Sequence, residues 1–334
     1  WKRKFTHKCP HREDQVVIMR FRLALLLALG QCSELTFAGN ELAGMDLEQL
    51  MDMNVTTVSK REQSFSSAAA AIYTINQDDI RRSAATNLPE ILQQAPGVEV
   101  ARINPSMWAV TARGFNSQFA NKLLVLIDGR SIYTPLFSGV YWDDQMPLLD
   151  DIQRIEIIRG PGASLWGSNA VNGVINIITY DSEQTTGSHV VAGGGNEERG
   201  FVRARQGFRQ GNLTGRVSAQ QRRVDEGIYA GSNEAANDDY VASAVDTRLD
   251  WRPSTGEKLT PNTGMTETDK HTDIALRGDI ADIISQREDL GARGSYLLIN
   301  CLHELNDGDA LFLQAYADYD HRYDSLESSE RLTS

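Results

Sequence analysis

The most apolar stretch near the start of this chain is too short to cross a membrane, and that decides what the rest can fold into. Leu23 to Leu29 follows a small basic segment, Met19-Arg20-Phe21-Arg22, and precedes the small residues of Thr36-Phe37-Ala38-Gly39. A spanning helix needs ~20 apolar residues, whereas a basic start, a brief apolar run and a small-residue cleavage site make an export signal. Because the chain opens on Trp1, residues 1–18 are expected to lie upstream of a start at Met19, and residues 1–39 to be leader and signal peptide. Beyond them no segment approaches a transmembrane helix. An exported chain of this kind is periplasmic, secreted or a barrel in the outer membrane, since only helices and closed barrels satisfy their backbone in lipid.

Charge narrows the partners. The net charge is −12, but residues 1–22 hold seven basic side chains against two acidic ones, leaving −17 on the remainder. So acidic a body argues against nucleic acid, which needs a basic face. Cys9 and Cys32 precede the expected cut, leaving Cys301, so no internal disulfide and no cysteine metal site is expected.

Three regions follow the signal. Residues 40–70 are polar and read as a mobile arm. Residues 71–180 mix helical and strand signals and read as a compact α+β domain. There Ile72-Tyr73-Thr74-Ile75 is a strand, Asn76 to Asp79 starts a helix, and Asn87 caps a second helix with Pro89 in its first turn. Glu90 stands at capping-box spacing, and Pro96-Gly97 stops that helix. Leu123 to Ile127 is apolar throughout, as in a strand covered on both faces, and Asp128-Gly129 turns it tightly. Ile152–Ile158 and Val174–Ile178 are further strands around a glycine-rich loop.

Residues 181–334 lose the helical signal and become alternating stretches broken by Gly, Asn and Asp, with strands expected at 189–192, 201–205, 213–219, 244–251, 273–277, 296–305 and 310–319. In the last, Leu311, Leu313, Ala315 and Ala317 alternate with Phe312, Gln314, Tyr316 and Asp318. One apolar and one polar face is the pattern of membrane barrel strands, though a soluble β-sandwich has the same period.

Enzyme motifs fail. No Gly-Lys-Ser/Thr follows the glycine-rich loop, and Gly162-Ala163-Ser164 has Trp166 where a nucleophile elbow needs glycine. The six histidines show no paired metal spacing. Asp143 and Asp144 are adjacent, so on a strand they would face opposite ways. No catalytic residue, metal site or cofactor is expected.

Residues 88–180 closely resemble the plug domain of TonB-dependent receptors. The stretches that carry the resemblance are LPEILQQAPGV, the Arg113-Gly114-Phe115 step, KLLVLIDGR and IQRIEIIRGPGASLWGSNAVNGVINIITY. It implies an α+β plug followed by antiparallel transmembrane barrel strands, and import of a scarce nutrient across the bacterial outer membrane. A siderophore, cobalamin or similar metal chelate is the implied ligand class, with TonB and outer-membrane lipid as partners. The TonB-binding segment is expected at Asn54, Val55, Thr56, Thr57 and Val58, whose β-branched residues suit strand addition to an exposed sheet edge. Contacts from plug to barrel are expected at Arg113, Glu156 and Arg159. Outward plug loops are expected to bind ligand through Pro105, Ser106, Met107 and Trp108, and through Tyr133, Phe137, Tyr141 and Trp142.

A barrel that holds such a plug has about 22 strands, each of ~9–11 residues plus a turn. The 155 residues after Thr179 suffice for about seven or eight, so the expectation is a fragment. Two other readings stay open at this point: a passive outer-membrane pore or adhesin, and a soluble exported α+β binding protein.

Overall fold

The structure is a computed structural model that describes residues 54–55, 63–64 and 72–333, except 115, 161–165, 167–168, 230–233, 278–282, 306–308 and 324–327. The signal segment, Thr56, Thr57 and Val58, and most of the glycine-rich loop lie outside the described residues. Asn54–Val55 (β1) pairs antiparallel with Gln63–Ser64 (β2).

The α+β unit begins with β3 (Ile72–Asn76), which runs directly into α1 (Gln77–Arg82). Asp79 Oδ2 accepts the Asn76 N–H at 3.0 Å and so satisfies a donor that the first helical turn leaves free. In α2 (Leu88–Leu92) the Asn87 side chain accepts Glu90 N–H at 3.0 Å. Glu90 Oε2 reaches back to Thr86 N at 2.9 Å, one residue before the cap, so the expected box is displaced by one position. A hairpin follows, β4 (Val98–Arg102) with β5 (Trp108–Ala112). Its turn is closed by Asn104 Oδ1, which accepts Ser106 N–H and Met107 N–H at 3.0 and 2.7 Å.

Four further strands complete a five-stranded sheet in the order β3-β8-β9-β6-β7: β6 (Leu123–Ile127), β7 (Arg130–Ser131), β8 (Ile152–Arg159) and β9 (Gly173–Thr179). Only β6 and β9 pair in parallel. Leu123 and Val125 pack into one core cluster and Leu124 and Leu126 into another, so β6 is covered on both faces. Ile152, Ile155, Ile157, Ile175 and Ile177 are each fully buried, worth ~1.5–3 kcal/mol apiece. Asp128 and Gly129 both take positive φ, 50° and 83°, the demand of a tight hairpin turn. Gly173 is needed for closeness: a Cβ there would run into the Ile158 carbonyl of β8.

The remainder is one antiparallel sheet of eight strands in chain order: β10 (Gly187–Gly193), β11 (Glu198–Gln210), β12 (Leu213–Val224), β13 (Tyr240–Trp251), β14 (Glu257–Arg277), β15 (Ile283–Glu304), β16 (Ala310–Tyr323) and β17 (Ser328–Thr333). Among the described residues these eight strands form one continuous sheet, with the α+β unit against one of its faces. β14 starts sixteen residues earlier than the expected 273. Its first half was hidden because the face toward the α+β unit is polar (Lys258, Thr260, Asn262, Thr268, Lys270) and Pro261 interrupts it. The β13–β14 ladder lapses between Arg248–Asn262 and Trp251–Leu259 without changing register, as a residue without an N–H imposes.

Period-two alternation gives the sheet two different faces. Arg216, Arg248, Lys270 and Arg322 reach the α+β unit. On the opposite face Val190, Phe208, Val217, Trp251, Met265, Leu297, Ile299, Leu311 and Leu313 are exposed. An apolar band of that extent on a monomer's surface calls for a covering medium.

Candidate functional site: a distal cavity and the docked α+β unit

The chain enters the sheet at Gly187, which defines a proximal end with turns at 211–212 and 252–256 and the strand ends Glu304 and Ala310. The turn at 194–197 and the strand ends at Val224, Tyr240, Arg277, Ile283 and Tyr323 are distal. A cavity of about 230 Å³ lies at the distal side between the two units. The α+β unit contributes Ser106, Met107, Trp108, Phe119, Tyr141 and Trp142 to it, and the sheet contributes Lys270, His271, Arg322 and Tyr323.

Five of the eight residues expected to meet ligand therefore share one cavity: Ser106, Met107, Trp108, Tyr141 and Trp142. They do so in different ways. Trp108 is on β5 rather than in a loop, and both tryptophans are 6–7% exposed and packed into the main core. Met107 is held by Gln118, whose Nε2 donates to its Sδ at 2.8 Å. Phe137 stands behind the lining, edge-on to Tyr141 at 4.9 Å and to Phe119 at 5.1 Å. Pro105 is buried and Tyr133 points elsewhere: its hydroxyl donates to the Leu123 carbonyl at 2.9 Å. Burial pushes the Tyr133 hydroxyl up to about 12, which suits a core anchor.

Charge organises the contact between the units. At the proximal end Arg248 of β13 meets Asp181 at 2.5 Å, Asp250 at 3.0 Å and Asp128 at 3.6 Å. Asp250 has a fully buried side chain. It accepts Ser182 N–H and O–H at 2.8 and 2.6 Å and Thr260 O–H at 2.9 Å, while Lys258 bridges it to Asp181. Asp128 holds the end of β9 by accepting both Thr179 N–H and Thr179 O–H at 2.8 Å. Halfway along, Arg205 and Arg216 bind Asp151 at 2.6 and 3.2 Å, and Ser218 donates to it at 2.6 Å. Asp150 sits 3.3 Å from His189 and 3.4 Å from Arg203. Burial works to raise its pKa, but the His189 and Arg203 partners outweigh it and leave the carboxyl below its ordinary range. At the distal side Asp143 pairs with Lys270 and Asp144 with Arg322, while Arg130 pairs with Asp318 on the rung of Ser218.

Most of these pairs put the carboxylate on the α+β unit or its exit segment and the cation on the sheet. Arg113, Glu156 and Arg159, expected at this contact, make their described contacts elsewhere. Glu156 takes a hydrogen bond from Arg154 of its own strand at 2.8 Å, Arg159 donates to the Pro96 carbonyl at 3.2 Å, and Arg113 lies over Gly160 with a positive φ of 64°. Ile155 and Ile157 of β8 are buried in the unit's own core, and Glu156 between them is fully buried as well. The docking residues sit instead on turns and strand ends, where single aspartates carry no sequence pattern. Asp143 and Asp144 are among them: they occupy a turn closed by Asp144 N–H to the Tyr141 carbonyl, not a strand, and so reach the same wall.

Comparison with known proteins bears on the whole arrangement. Residues 64–174 match the family described as the TonB-dependent Receptor Plug Domain. Vitamin B12 transporter BtuB of Vibrio vulnificus (strain CMCP6) is 36% identical over 151 residues, 45% of this chain and 24% of that protein. Vitamin B12 transporter BtuB of Vibrio cholerae (El Tor Inaba N16961) is 27% identical over 281 residues, 83% of this chain and 38% of that one. The chain thus spans well under half the length of these curated relatives. Among solved structures, the ferripyoverdine receptor of the outer membrane of Pseudomonas aeruginosa superposes with a TM-score of 0.62 at 13% identity, covering 91% of this chain and 42% of that chain. At that identity the likeness speaks for the fold.

Proposed function

We propose that residues 64–174, which match the TonB-dependent Receptor Plug Domain, form the plug of an outer-membrane receptor, and that the protein imports a scarce nutrient across the outer membrane. The observation that carries the proposal is the two-faced sheet. One face binds the plug through ion pairs and the other exposes an apolar band to lipid. A wall of this kind separates a membrane from a stoppered lumen.

The distal cavity is the place for cargo to dock, with Met107, Tyr141 and the rims of Trp108 and Trp142 offering flat apolar contact beside Lys270 and Arg322. A bulky metal chelate, whether a corrinoid or a ferric siderophore, presents matching surfaces. No covalent step is involved. The work is mechanical: the buried ion pairs hold the plug, and energy from the inner membrane overcomes them. The grip for that energy is the arm at Asn54-Val55-Thr56-Thr57-Val58, which TonB takes by strand addition.

The test is accumulation of radiolabelled cyanocobalamin and of ferric siderophores by cells that carry the full-length receptor with residues 54–58 deleted. Uptake falls to background while binding to the cell surface persists. Undiminished uptake in the deletion would identify a passive pore instead.

A further inference from the structure

The floor of the distal cavity is built from contacts that also hold the plug. Asp143 and Asp144 are consecutive residues of one turn, yet they clasp two different strands: Asp143 pairs with Lys270 on β14, and Asp144 with Arg322 on β16. Thr268 of β14 adds a hydrogen bond to Asp144 at 3.2 Å. All four charged side chains are shielded, Lys270 and Asp143 to 9% and 5% exposure, Arg322 and Asp144 to 17% and 12%. The Arg322 guanidinium also lies over the Tyr141 ring, 3.2 Å from its centre. Both cations line the cavity, as does Tyr141, whereas Asp144 stands behind the lining. A cavity whose cations are already engaged by the stopper offers them to any anion that enters.

We propose that Asp143 and Asp144 form an exchangeable clasp, in which a ligand bearing an anionic group takes Lys270 or Arg322 from its plug carboxylate and loosens the plug from β14 and β16. This deepens the import reading, on which it rests, by naming cargo with a carboxylate, phosphate or comparable anion beside a flat apolar surface. The chemistry favours exchange over simple addition. An anion placed beside the intact pairs meets Asp143 as a like charge, and it gains fully only when a carboxylate gives way. Removal of its cation leaves a shielded carboxylate that must turn to water, and water reaches it only if the turn moves.

The experiment uses the full-length receptor in outer-membrane vesicles without TonB, with citrate as the anionic probe and sucrose and sodium chloride (at matched ionic strength) as controls. Hydrogen–deuterium exchange is followed in the segment 140–147. Citrate raises exchange there several-fold and the controls do not. In D143N/D144N exchange is already fast and citrate adds nothing. In K270Q/R322Q the response to citrate is lost, while the heat-modified electrophoretic mobility shows that the barrel remains folded. An equal response to citrate and chloride, or a response that survives in K270Q/R322Q, overturns the clasp, as does no response in the unaltered receptor. Because TonB is absent, these outcomes are independent of whether deletion of residues 54–58 stops uptake.

Discussion

Arg248 Nη2 stands 2.5 Å from Asp181 Oδ1, which ties barrel strand β13 to the segment by which the plug leaves its own sheet. The same guanidinium serves Asp250 and the Thr179 hydroxyl at 3.0 Å. One side chain therefore joins wall, exit segment and the last plug strand, and its loss leaves the buried Asp250 with Lys258 as its remaining cation. Removing one member of a buried pair costs about 3–5 kcal/mol. Arg248→Ala is expected to lower the stability of the refolded receptor in detergent by that order, measured by urea titration. Arg248→Lys restores part of it, since an ammonium replaces the charge but not the fork of donors.

The cavity separates residues that bind from residues that pack. Met107→Ala removes an adaptable contact from the lining and should weaken ligand binding about tenfold, with little change in the unfolding midpoint. Tyr133→Phe removes a hydrogen bond to Leu123, lowers stability by about 1 kcal/mol and leaves binding unchanged. Titration calorimetry with the cargo found by the uptake assay, paired with thermal melts, distinguishes them. Equal losses of affinity in both variants would place Tyr133 in the site after all.

Acid should loosen the plug through Asp150. Its folded-state pKa lies below the ordinary carboxylate value of 3.8, so the unfolded chain binds the extra proton. The stabilisation is complete above about pH 5 and is lost as pH falls through 3.8 toward the folded value. Asp150→Asn lacks this dependence. Wild-type protein is therefore expected to lose more stability than the variant between about pH 5 and pH 3, read from urea midpoints at each pH. Parallel curves for the two proteins would remove Asp150 from the account.

The alternation along β16 assigns opposite surroundings to neighbours. Leu313 is exposed on the apolar face, whereas Gln314 reaches the Asp128 carbonyl of the plug at 2.9 Å. Leu313→Arg puts a charge into lipid and is expected to cost about 2–4 kcal/mol near mid-depth, seen as a lower folded fraction on refolding into vesicles. Gln314→Ala leaves insertion unaffected.

The plug was legible in the sequence because its signals are local. Asn87 with Pro89, the run Leu123 to Ile127, and Asp128-Gly129 each specify a short structure without help from distant residues, and each appears where expected. The β4–β5 hairpin was less visible: residues 104–108 carry turn-like Asn and Pro, which mask the strand that begins at Trp108. β14 was half hidden, since alternation is read from an apolar face and its other face meets ion pairs instead of core. The cavity was legible on its plug side alone. Lys270 and Arg322 lie more than a hundred residues from the plug carboxylates they meet, and nothing local marks a lysine as facing inward. For Arg113, Glu156 and Arg159 the sequence left the partner open for a related reason: charge on a strand end does not say which neighbour it faces.

Pro261 gives the wall an unexpected property. It lies where β13 and β14 forgo their rungs, level with Asp250 and Thr260 and hence with the knot that moors the plug's exit segment. A tug on that mooring arrives at a crease, where two staves can yield slightly without the seams above and below parting. The sheet can thus take up strain at its anchorage while the strands on either side keep their register.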